Sequence, residues 1–213
     1  MKIIVLFLAC FLVPGLGQTA FASAPDLDLA RKVQERYDAL QALQTDYVQV
    51  LTSAATRDQE ERTGRIYFKK PLLIRWVAET PEPELLVMDG EKVWNYFPDE
   101  ETVYEYEAED VLSSRAMLNF ISGRARLTED FRVEHQGKEN GLNMLKLTPK
   151  NPEPDLVLAY LRVDEEGLLH GIKLVDFFGN ENELCFKSLK IDPELSADKF
   201  IFEAPETAEV IKE

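Results

Sequence analysis

Apolar and polar positions alternate with different periods along the chain, and each change of period marks an element. From Asp26 to Gln44 the spacing is helical: Leu29, Val33, Tyr37 and Leu40 share a face that Gln44 continues, and Asp26 or Asp28 can cap the start. The period then becomes two. Tyr47, Gln49 and Leu51 oppose Val48, Val50 and Thr52, as the two faces of a strand do. Short strands are predicted at 64–69, 73–78, 84–89, 92–97 and 102–106, punctuated by Pro71, Pro81-Glu82-Pro83, Asp89-Gly90 and Pro98-Asp99. After an interruption they resume at 131–135, 142–148, 156–163, 168–177, 182–191 and 199–202, with turns at Gly167 and Gly179-Asn180. Consecutive short strands joined by tight turns imply an antiparallel meander.

The interruption, 109–121, is a second helix of unusual character. At 100° per residue Val111, Leu118 and Ile121 take one side, while Leu112, Ala116 and Phe120 take the other. A helix that is apolar nearly all round needs cover on more than one face. A lid over an apolar lumen meets that need. The predicted fold is therefore α+β: an incomplete antiparallel β-barrel, a strongly curved sheet, with a helical lid around a hydrophobic cavity.

The first 22 residues carry a different message. Lys2 precedes the apolar run Ile3–Leu12, Pro14-Gly15 break it, and Ala20-Phe21-Ala22 and Ala22-Ser23-Ala24 offer small-residue cleavage sites. The run is shorter than the roughly 20 residues of a spanning helix, so an export signal is expected rather than an anchor. Cleavage is expected after Ala22, because cutting after Ala24 would leave Pro25 at the new terminus. That divides the chain into a signal peptide, 1–22, and one domain, 23–213, of ordinary size. The lipobox-like Leu8-Ala9-Cys10 has too short an apolar run before its cysteine. With Cys10 removed, Cys185 is the only cysteine left, and no internal disulfide can form.

Charge narrows the partners. The chain has a net charge of −15. Loss of Lys2 with the signal leaves 23 basic against 39 acidic residues, or −16. Such a surface repels nucleic acid and anionic bilayers. Clusters such as Asp99-Glu100-Glu101 and Asp164-Glu165-Glu166 read as solvated turns. Catalytic motifs are missing from the sequence: His135 and His170 stand alone, with no His-Glu-x-x-His, Cys-x-x-Cys, Gly-x-Ser-x-Gly, phosphate loop or dinucleotide fingerprint. No metal or other cofactor is expected. A carboxylate-based hydrolase and a purely structural interaction module are the readings from other classes; a binding protein fits better.

Several segments, taken in order, resemble one family. They are Lys70-Pro71, Trp76, the Asp89-Gly90 turn, Trp94-x-Tyr96-x-Pro98, Leu147-Thr148-Pro149-Lys150, Asp176-x-x-Gly179-Asn180, and Phe200-x-Phe202-x-x-Pro205 followed by Val210-Ile211. Together with the N-terminal helix and the strand after it, they resemble the periplasmic outer-membrane lipoprotein carrier family, LolA. The resemblance implies an unclosed barrel lidded by helices around an apolar cavity. It also implies lipoproteins as cargo, loading by an ATP-driven inner-membrane complex and delivery to an outer-membrane receptor, by a periplasmic monomer without enzymatic activity. The same fold could instead hold a free lipid or glycolipid, or sense lipoproteins for a regulatory response. By position, Leu72, Ile74, Trp76, Leu86, Met88, Trp94 and Tyr96 are the expected cavity lining, and Met117, Leu118, Phe120 and Ile121 the expected lid residues. In the family a basic residue before this proline, usually arginine, resembles a latch on the lid backbone. Here it is Lys70, while Ile74 stands where an aromatic is frequent and Thr207 near a usual glycine.

Overall fold

The computed structural model describes residues 24–114, 119–120, 124–151 and 154–213. Helix α1, Ala24–Ala39, comes first, and Ala30, Val33 and Tyr37 on one face, with Leu40 just beyond its end, are buried. The helix ends earlier than its periodicity suggests. Gln41 and Ala42 amides donate to Asp192 Oδ1 at 2.7 and 3.0 Å, which turns the chain into strand β1, Ala42–Thr52. Gln44, predicted to be helical, therefore belongs to a strand.

The first meander continues as β2 (Gln59–Lys69), β3 (Leu73–Thr80), β4 (Glu84–Met88), β5 (Lys92–Phe97) and β6 (Thr102–Glu107). Helix α2, Ala108–Ser114, opens the insertion, which closes with a helical turn at Leu127–Asp130. The second meander is β7 (Phe131–Glu139), β8 (Leu142–Pro149), β9 (Leu158–Val163), β10 (Leu169–Val175) and β11 (Glu181–Phe186), followed by the short β12 (Lys190–Ile191). The predicted strand at 199–202 is not one. Ala197–Phe200 forms a 3-10 turn, and the last strand, β13, is Glu209–Lys212.

All thirteen strands among the described residues join one sheet, ordered β13-β6-β5-β4-β3-β2-β1-β11-β10-β9-β8-β7, with β12 beside the start of β1. Neighbours are antiparallel except β13, which lies parallel to β6. Strand β1 joins the two meanders: Ala42 to Thr52 pair with β2 on one side, and Tyr47 to Thr52 pair with β11 on the other. The path ends at β13 and β7, which do not pair, so the barrel is open. Gly64 makes one tight crossing possible. A Cβ there would sit 1.9 Å from the Val77 carbonyl oxygen, beside a register shift between β2 and β3. Gly167, at φ +81°, turns β9 into β10 against the backbone of Lys32 in α1.

Candidate functional site

Strand register assigns the inner face. Phe68 pairs with Ile74, Ile74 with Met88, and Met88 with Val93, while Ile66 pairs with Trp76 and Trp76 with Leu86. Ile66, Phe68, Ile74, Leu86, Met88 and Val93 are all buried. Apart from Ile66 these form one cluster with Ala108, Val111 and Leu112 of α2, and Leu72 and Trp76, partly buried, pack against it. A second cluster lies under the other meander and contains Leu145, Leu147, Leu161, Ile172 and Leu184. Trp76 touches both clusters, and its indole meets the Tyr47 ring edge-on at 5.5 Å. Of the expected lining, Leu72, Ile74, Trp76, Leu86 and Met88 share this inner side.

Trp94 and Tyr96 do not. Trp94 stacks on Phe202 and Tyr96 meets it at a tilt, each with ring centroids 6.0 Å apart, on the outer face. Between them, Asn95 turns inward and is 5% exposed. The expectation fails because the outer face of this half is covered as well. Val87 and Val103, which alternate with inner-face positions, are fully buried, and Leu195, Phe200 and Phe202 bring the C-terminal segment across that side. A sheet covered on both faces gives no polar face by which to read parity. Burial does not decide it either.

Of the expected lid residues, Phe120 is buried against Phe131 at 5.6 Å, in the cluster opposite to the one that α2 joins. The insertion thus covers both halves of the interior. Met117, Leu118 and Ile121 lie outside the described residues.

Among the described residues, Lys70 Nζ donates to the Asp38 carbonyl oxygen at 2.6 Å, in the last turn of α1. The lid segments 115–118 and 121–123, on whose backbone the latch is expected, lie outside the described residues. Polar contacts between the insertion and α1 come from elsewhere. Arg126 Nη1 donates to both Asp38 carboxylate oxygens, at 3.0 and 3.2 Å, and the Leu127 amide donates to Gln34 Oε1 at 3.0 Å. Asp38 is therefore a junction: its carbonyl takes Lys70 and its carboxylate takes Arg126. No sequence motif marks Arg126 or Gln34; only their adjacency in space does. The gap between α1 and this part of the insertion, lined by Val33, Tyr37, Phe120 and Leu127, is about 20 Å³, room for about one water.

The interior is apolar with few polar atoms. Gln49 donates to Asn182 Oδ1 at 2.9 Å, and Asn95 Oδ1 is buried without a partner among the described residues. Burial pushes the Tyr47 hydroxyl pKa up, so it stays a neutral phenol. His135 and His170 serve their own neighbourhoods, the first 3.1 Å from Asn143 Oδ1 and the second 3.1 Å from Asp164 Oδ2.

Residues 38–203 match the family described as outer membrane lipoprotein carrier protein LolA. The chain belongs to that family. Its relatives include the outer-membrane lipoprotein carrier proteins of Methylococcus capsulatus, 30% identical over 91% of this chain and 92% of the relative, and of Dechloromonas aromatica, 30% identical over 93% and 96%. The fold is shared with an uncharacterized conserved protein from Thermus thermophilus at a TM-score of 0.56, with 14% identity, over 88% of this chain and 98% of that one. LolA membership accounts for a large apolar interior without a catalytic constellation among the described residues.

Proposed function

We propose that this LolA-family chain is a periplasmic carrier that takes up the acyl chains of lipoproteins released from the inner membrane and delivers them to the outer membrane. One observation carries the reading: a continuous inner face, built by both meanders and bridged by Trp76, is covered by an insertion whose described polar ties to α1 are Arg126 on Asp38 and the Leu127 amide on Gln34. An acyl chain of roughly 16 carbons gains on the order of 12 kcal/mol on leaving water, at about 0.8 kcal/mol per methylene. A carrier has to recover much of that and still let go, and a movable cover serves both ends. An inner-membrane, ATP-driven releasing complex and an outer-membrane receptor are the partners that supply and accept such a cargo. Leu72, Ile74, Trp76, Leu86 and Met88 face the acyl chains, with Phe120 among the residues that cover them. Lys70 holds the end of α1 in place, and the signal peptide is removed after Ala22.

Native mass spectrometry of the mature protein with synthetic triacylated lipopeptide tests the reading. One-to-one binding, weakened by Trp76→Gln, is expected. Indifference to lipopeptide, or retention of a different lipid in preference to it, would overturn the choice of cargo.

A further inference from the structure

The turn between β10 and β11 breaks the usual pattern of hairpin tips. Turns favour Gly, Asn, Asp and Ser. Here Asp176, Gly179 and Asn180 frame two phenylalanines, Phe177 and Phe178, which are 73% and 77% exposed. Their rings meet each other at 5.7 Å and 83°. Single exposed apolar residues are ordinary. Two adjacent ones on a tip bury nothing for folding, and this tip is rigid. Asn180 donates through its backbone and its amide to the Asp176 carboxylate, at 2.8 and 2.7 Å. The Asn180 Oδ1 accepts the Ala54 amide of the neighbouring β1–β2 turn at 2.9 Å, and the Phe177 amide donates to the Pro154 carbonyl at 2.9 Å. Three chain segments thus hold the backbone beneath the aromatic pair, which lowers the backbone part of the entropic cost of seating it in a partner.

An open groove of about 540 Å³ adjoins the knuckle, and its carboxylates belong to Asp58, Glu60, Asp155, Asp176 and Glu181. The neighbouring turn adds Arg57, while Lys173 is paired with Glu181 at 3.5 Å, so the surroundings stay acidic. We propose that the Phe177–Phe178 knuckle and this groove dock a partner protein whose face carries an apolar hollow ringed by arginine and lysine. The acidic rim and the chain's charge of −15 disfavour an anionic bilayer and a second copy alike. A cationic protein face gains from both the charge and the aromatic anchors. Strand β1, up to roughly 35 Å long, separates this surface from the Lys70–Asp38 contact. A partner seated here leaves α1 and the start of the insertion free to move. The knuckle lies outside the apolar interior, so its role does not depend on what the interior holds.

The test is sedimentation of the mature protein, in wild-type and Phe177→Ser/Phe178→Ser forms, with inner- and outer-membrane vesicles from its own cell. Serine suits these turn positions, and lipopeptide binding by the same variant checks its fold and reports separately on the cargo. Wild type should bind native vesicles, bind less at high salt, and lose binding when vesicle proteins are shaved with trypsin. The double variant should bind about tenfold more weakly or worse, and Asp155→Lys should weaken binding at low salt. Equal binding by the double variant overturns the proposal, as does failure of wild type to bind native vesicles. Equally tight binding to protein-free phosphatidylethanolamine–phosphatidylglycerol vesicles would assign the knuckle to the bilayer. Knuckle-dependent self-association in sedimentation velocity would assign it to a second copy.

Discussion

Replacing Arg126 by alanine should make the cover easier to open without unfolding the protein. Arg126 reaches from the end of the insertion to the Asp38 carboxylate in the last turn of α1. The two side chains are 45% and 48% exposed, so water screens the pair and its contribution stays near 0.2–1 kcal/mol, the range of surface salt bridges. That corresponds to a roughly 1.4- to fivefold rise in the ratio of open to closed forms. If entry of an acyl chain waits on this opening, lipopeptide association should accelerate by the same factor. Stopped-flow fluorescence can follow it through Trp76 in a Trp94→Phe background, because the two tryptophans lie on opposite faces. High salt should bring the wild-type rate toward that of the variant, since it screens the same pair. Removing the Gln34 side chain, which accepts the Leu127 amide, should add about another 1 kcal/mol of loosening. Lys70→Met perturbs a different contact, between the β2–β3 turn and α1, and should change entry less than Arg126→Ala does. An unchanged association rate in Arg126→Ala, or an effect that survives high salt undiminished, would refute this account of closure.

Other outcomes can be checked by ordinary means. Gly64→Ala should destabilise the fold by about 3 kcal/mol or more in urea unfolding, because the added methyl meets the Val77 backbone rather than a yielding side chain. Phe202→Ala should lower stability by about 2 kcal/mol through loss of its contacts with Trp94 and Tyr96, yet leave lipopeptide affinity intact. The Ala42 and Gln41 amides that donate to Asp192 hold its carboxyl below the usual carboxylate range. A depressed folded-state pKa gives stability that is complete above the unfolded value, about 3.9, and is lost as pH falls through the folded one. Asp192→Ala should therefore cost more stability at neutral pH than in strong acid, and an equal cost at both would contradict that assignment.

Much of the architecture was legible because local signals agreed with one another. Alternation, proline breaks and the Asp89-Gly90 turn placed the strands of the first meander, and the described part of the apolar run at 109–121 buries Val111 and Leu112 in one cluster and Phe120 in the other. What failed did so for identifiable reasons. The helical face of α1 continues numerically through Gln44, but Asp192, some 150 residues away in the chain, supplies the bonds that end the helix and start β1. Phe200 and Phe202 alternate like a strand, yet Phe200 closes a 3-10 turn over Ala42 and Leu195, and the pairing goes to β13 instead. Position within the family resemblance points Trp94 and Tyr96 to the inner side. Nothing local reveals that the C-terminal segment returns to cover the outer face of β5. The Asp38 junction was invisible for the same reason: Arg126 and Lys70 meet one residue from different parts of the chain, and neither spacing nor composition records that.

The most direct test of the central claim uses a lipopeptide whose acyl chains carry bromine, a short-range quencher of indole emission. Two single-tryptophan proteins, Trp94→Phe and Trp76→Phe, are titrated with it. The account predicts strong quenching of Trp76 in the first and nearly unchanged emission from Trp94 in the second. Quenching of Trp94 equal to or stronger than that of Trp76, or no quenching of either, would contradict an acyl-binding site on the inner face of the sheet.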